Sequence, residues 1–127
     1  MNIIFGQSFM RDPARAQERA RWRRHFIEGH DRAGILRALK GIYTRKDVRD
    51  EIGSISVPVL VMTGEEDVAT LPEEGRIVAE AIPGAQFALI PRAGHSASVE
   101  EPEAVTEMIE GFLAGLARDG NVSGHAG

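Results

Sequence analysis

The apolar positions of this chain change their rhythm once, near residue 55. Before that point they recur at helical spacing. Asp12 followed by Pro13 reads as an N-cap with proline in the first turn, and Gly29 as a stop, which predicts a helix over about 13–28. Within it Trp22 and Phe26 lie one turn apart and share a face. A second helix is expected from Arg32 to Lys40, carrying Ile35, Leu36 and Leu39, and Thr44 with Asp47 three residues on reads as a short helix start. After Ile55 the pattern is different. Val57-Pro58-Val59-Leu60-Val61-Met62 is continuous and largely β-branched, without alternation, as expected of a strand buried on both faces in a parallel sheet. Pro72 to Ile82 returns to helical spacing through Ile77, Val78 and Ala81, and Pro83-Gly84 ends it. Gln86 to Ile90 reads as a second strand closed by Pro91. The last helix is expected from Pro102 to about Ala117, with Val105, Met108, Ile109, Phe112, Leu113 and Leu116 on one face. Residues 119–127 are rich in glycine and aperiodic, so they read as a disordered tail.

Strand, helix, strand, helix is a βαβα unit, and the fold class is therefore α/β. A sheet of two parallel strands is too narrow to cover a last helix with that many large apolar side chains. The pattern thus implies an incomplete sheet. Length agrees with one domain at most: 127 residues, 43% apolar and 27% charged, an ordinary globular balance. With no cysteine, disulfides, thiolate catalysis and cysteine-ligated zinc are excluded. The net charge of −4 argues against a dedicated nucleic-acid binder, although Arg11, Arg15, Arg19, Arg21, Arg23 and Arg24 cluster against only Asp12 and Glu18. That cluster reads as a solvated helix face. No apolar run is long enough to span a membrane, and residues 1–10 do not resemble a signal peptide, so a cytoplasmic location is the default expectation. No metal or cofactor is implied, since His25, His30 and His125 lack ligand spacing.

Candidate chemistry sits in the two loops that leave the carboxyl ends of the strands, where open α/β sheets place their sites. One reads Gly64-Glu65-Glu66-Asp67 and the other Pro91-Arg92-Ala93-Gly94-His95-Ser96. A carboxylate orienting an imidazole would be the acid–base half of a Ser-His-Asp relay. A solvated aspartate in a turn beside an ordinary loop histidine fits the spacing equally well.

Residues 55–116 resemble the C-terminal part of the α/β-hydrolase superfamily. The resemblance is carried by Val57-Pro58-Val59-Leu60-Val61-Met62-Thr63-Gly64-Glu65-Glu66-Asp67, then Ile82-Pro83-Gly84-Ala85, Ile90-Pro91-Arg92-Ala93-Gly94-His95 and Glu100-Glu101-Pro102-Glu103-Ala104-Val105. It implies that Asp67 is the acid and His95 the general base. It also implies that residues 1–54 are a helical lid and 55–118 the end of a parallel α/β-hydrolase sheet. The N-terminal strands and the nucleophile elbow would be missing from these residues, because the family order is nucleophile, acid, base. The nearest resemblance within the superfamily is to small esterases and enol-lactone hydrolases, which implies a small-molecule acyl substrate. A chain supplying only acid and base would be inactive alone; the competing expectation is a non-catalytic module that pairs or self-associates through an exposed sheet edge.

Gly6-Gln7-Ser8-Phe9-Met10 is a partial match to G-x-S-x-G, with Met10 in place of the small residue a tight elbow wants. Ser8 is therefore expected to lead into the lid rather than to act as nucleophile. Ser96 and Ser98 flank His95 but adjoin it in sequence, where side chains diverge. Glu65 and Glu66 read as exposed loop acids, with Glu66 the alternative to Asp67. Ser98, Glu100 and Glu101 read as the start of the last helix, where carboxylates suit the positive end of the dipole. Trp22 and Phe26 read as lid packing in preference to a substrate cage.

Overall fold

The computed structural model describes residues 1–122. A turn at the N-terminus leads into α1 (Gln7–Arg11), a single turn of 3-10 helix (Pro13–Arg15), α2 (Ala16–Glu28), α3 (Arg32–Thr44) and α4 (Arg49–Ile52). Then follow β1 (Leu60–Gly64), α5 (Pro72–Ala81), β2 (Gln86–Ile90), α6 (Ala97–Glu100) and α7 (Pro102–Val122). Residues 123–127, the remainder of the expected tail, lie outside the described residues, as does His125.

The strands pair in parallel, Leu60 with Gln86 through to Gly64 with Ile90. β1 starts later than its apolar run predicts. Its partner strand begins only at Gln86, past the turn at Pro83-Gly84, and the first inter-strand bond is Gln86 N–H to the carbonyl of Val59, at 2.9 Å. Val57, expected inside, is 63% exposed. Burial on both faces is reached only at the end of β1, where Thr63 and Gly64 are both buried; Leu89 is exposed, and of β2 only Ile90 is fully buried.

Local signals explain most helix ends. Asp12 accepts from the Ala14 amide at 2.8 Å, and Asp31 caps α3 through the amides of Ala33 and Gly34. α5 opens on Pro72, and Glu74 reaches back to the Leu71 amide at 2.8 Å. Thr44 is not a helix start. It ends α3, which runs a full turn past the expected Lys40, and its hydroxyl donates to the Lys40 carbonyl. α7 likewise passes Ala117 and continues to Val122.

The core is thin. Phe5, Phe9, Ala79, Ile82, Ile90 and Ala93 are its buried apolar residues. Phe5 stacks on Phe9 at 4.7 Å between ring centroids and meets Trp22 at 5.9 Å and Phe26 at 6.4 Å. Thus Trp22 and Phe26 join α2 to the N-terminal segment. Elsewhere large apolar side chains face outward, including Leu36, Ile42 and Tyr43 on α3 and Leu113 on α7. The accessible surface, 9516 Å², compares with about 6,600 Å² for a folded monomer of 13.8 kDa. No helix among the described residues is long and apolar enough to cross a membrane.

Candidate active site

Two backbone hydrogen bonds extend the parallel ladder beyond the strands and zip the candidate loops together. The Glu65 amide donates to the Ile90 carbonyl at 2.9 Å, and the Glu66 amide to the Ala93 carbonyl at 2.8 Å. The second loop turns back sharply at Arg92, whose φ of +58° lies in the left-handed region. Its guanidinium is anchored on Glu101 at 3.0 and 3.1 Å. Glycine is needed where the loops touch. A β-carbon at Gly64 would lie 2.8 Å from the Ala93 carbonyl carbon, and one at Gly6 would lie 2.8 Å from the Gly94 nitrogen.

This close packing brings Asp67 and His95 together. His95 Nδ1 lies 2.9 Å from Asp67 Oδ2. The other carboxylate oxygen accepts from the amides of Ala69 at 2.8 Å and Thr70 at 3.0 Å. The aspartate side chain is 6% exposed and the imidazole 47%. The acid is thus hidden and held by backbone donors, while the imidazole looks outward. An ionised carboxylate only accepts, so in a neutral ring the shared proton would sit on Nδ1 and leave Nε2 as an acceptor. The solvated-aspartate reading of the spacing does not describe this arrangement.

The other sequence candidates go elsewhere. Ser8 does not meet the imidazole: its hydroxyl donates to Glu66 Oε1, and its amide to Glu66 Oε2 at 2.7 Å. Glu66 is accordingly half-buried, not an exposed acid, and it faces Ser8 instead of His95. Burial pushes its carboxyl up, but hydrogen bonds from Ser8 and the Gln7 amide and the nearby Arg11 charge outweigh this and hold it below the usual 4.5. Glu65 is exposed, as read. Among the described residues no serine hydroxyl bonds to His95. An open groove of about 510 Å³ beside α2, lined in part by Met1, Met10, Arg19, Arg23 and Ile27, does not include the Asp67–His95 pair. Among the described residues no cluster of potential metal ligands occurs.

One residue of the site was misread. Glu100 does not face the start of the last helix; α6 is a separate turn, and Glu100 is 0% exposed. Its carboxylate accepts from the Gly6 amide at 2.7 Å and the Gly94 amide at 3.0 Å. Both partners are backbone groups, one of them distant in sequence, and nothing in the local pattern marks such a contact.

An imidazole and a buried carboxylate thus meet at the carboxyl ends of neighbouring parallel strands. Comparison with known proteins gives the family. Residues 41–123 match the family of α/β-hydrolases described as TAP-like proteins, and the chain belongs to the α/β-hydrolase superfamily. It is 43% identical over 63 residues to a Mycobacterium tuberculosis protein provisionally named non-heme bromoperoxidase BpoC, covering 50% of this chain and 24% of that protein. It is 32% identical over 84 residues to 3-oxoadipate enol-lactonase 1 of Acinetobacter baylyi, covering 66% of this chain and 30% of the relative. Among solved structures, Rv0554 of Mycobacterium tuberculosis superposes with a TM-score of 0.76 at 28% identity, over 91% of this chain and 41% of that one. The matched region therefore spans about a quarter to a third of the length of these curated relatives.

Proposed function

We propose that this chain carries the acid and the general base of a Ser-His-Asp relay that hydrolyses esters, lactones or related acyl bonds. Asp67 holds the imidazole of His95 in the Nδ1–H form and stabilises it when it becomes charged. His95 Nε2 takes a proton from a serine supplied by residues other than these 127, and afterwards activates the water that releases the acyl group. The observation that carries this reading is the 2.9 Å contact between a buried carboxylate and an exposed imidazole. The name of the enol-lactonase relative supports the acyl class.

These residues alone are inactive on this reading, since removal of the nucleophile from such a relay costs on the order of 10⁶ in turnover. An ester-hydrolysis assay on the 127-residue chain is expected to show no rate above background. Turnover abolished by Ser8→Ala, with a fluorophosphonate adduct at Ser8, would overturn it.

A second reading is favoured by the exposed apolar side chains and by the outer edges of the two-stranded sheet: self-association without catalysis. Light scattering coupled to size exclusion tests it. A cooperative monomer speaks against this second reading, and a concentration-dependent dimer speaks for it.

A further inference from the structure

We propose that Glu100 is a positioning residue for His95: its buried carboxylate clamps the Gly6 and Gly94 amides together and so fixes the loop that presents the imidazole. The inference rests on the reading of His95 as general base. Glu100 is the largest polar side chain in the interior and takes no part in the relay itself. Each of its oxygens holds one backbone amide, and the two amides belong to segments far apart in the chain. Gly94 immediately precedes His95. Gly6 ends the segment that leads into α1, and the two backbones touch so closely that a β-carbon on either would collide with the other. A further bond, Ser96 N–H to the Ile4 carbonyl at 2.9 Å, grips the residue after His95 to the same segment. Thus the residues on both sides of the imidazole are tied to Ile4–Gly6, and Glu100 spans the tie. Ser8, two residues on, is held in turn by Glu66 on the Asp67 loop.

Burial pushes the Glu100 carboxyl above its usual range, with the neighbouring Glu66 charge adding to this and the amides of Gly6, Gly94 and Ser96 opposing it. A carboxylate is still the side chain that this geometry requires, because two amide donors need two acceptor oxygens. Glutamine offers one oxygen, and its amide nitrogen would confront the second donor. Leaving a buried donor unsatisfied is costly enough for the loop to move instead.

The test is Glu100→Gln in the 127-residue chain, read by amide exchange and by the ¹⁵N shifts of the His95 ring. Protection at Gly6 or Gly94 should fall about tenfold or more, while β2 amides keep theirs. The His95 ring should move from the Nδ1–H form toward a mixture with Nε2–H. Unchanged protection at both glycines, or an unchanged ring tautomer, overturns the proposal. Should the variant not fold, the wild type still decides. The Gly6 and Gly94 amide protons should titrate with the Glu100 carboxyl at one midpoint, distinct from the Glu66 midpoint seen at the Ser8 amide. Separate midpoints at the two glycines would refute the clamp. A wild-type ring lacking the Nδ1–H form would instead sink the relay reading, and the positioning role with it.

Discussion

Gly64→Ala places a β-carbon 2.8 Å from the Ala93 carbonyl carbon and closer still to the carbonyl oxygens of Ala93 and Gly94. All of these are backbone atoms, so no side-chain rotation relieves the clash. Carbon atoms settle at roughly 3.5–4.0 Å, so the loop carrying His95 must retreat by about an ångström. The Glu66 amide to Ala93 carbonyl bond, at 2.8 Å, and the Asp67–His95 contact, at 2.9 Å, both cross the gap that widens. An ångström more takes each past hydrogen-bonding range. Overpacking costs about 1–3 kcal/mol and each lost bond about 1 kcal/mol. A loss on the order of 2–5 kcal/mol is therefore expected, a large part of the roughly 5–15 kcal/mol a domain possesses. Urea unfolding followed by circular dichroism reads the stability, and exchange at the Glu66 amide reads the local opening. A variant within about 0.5 kcal/mol of wild type, with Glu66 still protected, would refute the claim that the two loops pack through bare backbone.

Ser8→Ala should cost about 1.5–3 kcal/mol through the lost charge-assisted bond to Glu66, measurable by urea unfolding, and should leave the His95 ring unaltered. The pH profile of unfolding separates the Glu66 and Glu100 carboxyls. Glu66, held below 4.5 in the folded state, stabilises above that value, and its contribution disappears as pH falls through the lowered folded value. Ser8→Ala should shrink this acid-side loss. Glu100 is raised, so its contribution is complete below 4.5 and declines as pH climbs through the raised folded value. Glu100→Gln should abolish that decline. Asp31→Ala removes both bonds that cap α3 and should cost about 1 kcal/mol of local helix stability, seen as faster exchange in the first turn of α3.

The local patterns were legible and the distant contacts were not. β2 runs over Gln86–Ile90 as its apolar run and flanking prolines indicate, and α5 and α2 stop where Pro83-Gly84 and Gly29 say they should. These are properties of a few adjacent residues. β1 slipped because its partner begins only at Gln86, past the turn at Pro83-Gly84, which is a fact about the partner strand and not about the run. Asp67 and His95 stood out through the resemblance to α/β-hydrolases, since the spacing alone fits a solvated aspartate and an ordinary loop histidine equally well. Glu66 and Glu100 could not be read in this way. Both are acids among other acids, and what distinguishes them is the backbone of residues 6–8, brought up from the far end of the chain. The same holds for Thr44, a good N-cap residue that tertiary context left inside the last turn of α3.

The central claim is that Asp67 holds His95 with its proton on Nδ1. A long-range ¹H–¹⁵N correlation of the imidazole, recorded on the neutral ring in the wild type and in Asp67→Asn, tests it most directly. The wild type should show protonated Nδ1 and bare Nε2. In Asp67→Asn the amide oxygen keeps the Ala69 and Thr70 amides, its nitrogen turns donor toward the ring, and the proton should move to Nε2. A wild-type ring already protonated on Nε2, or one indifferent to the substitution, would contradict the account.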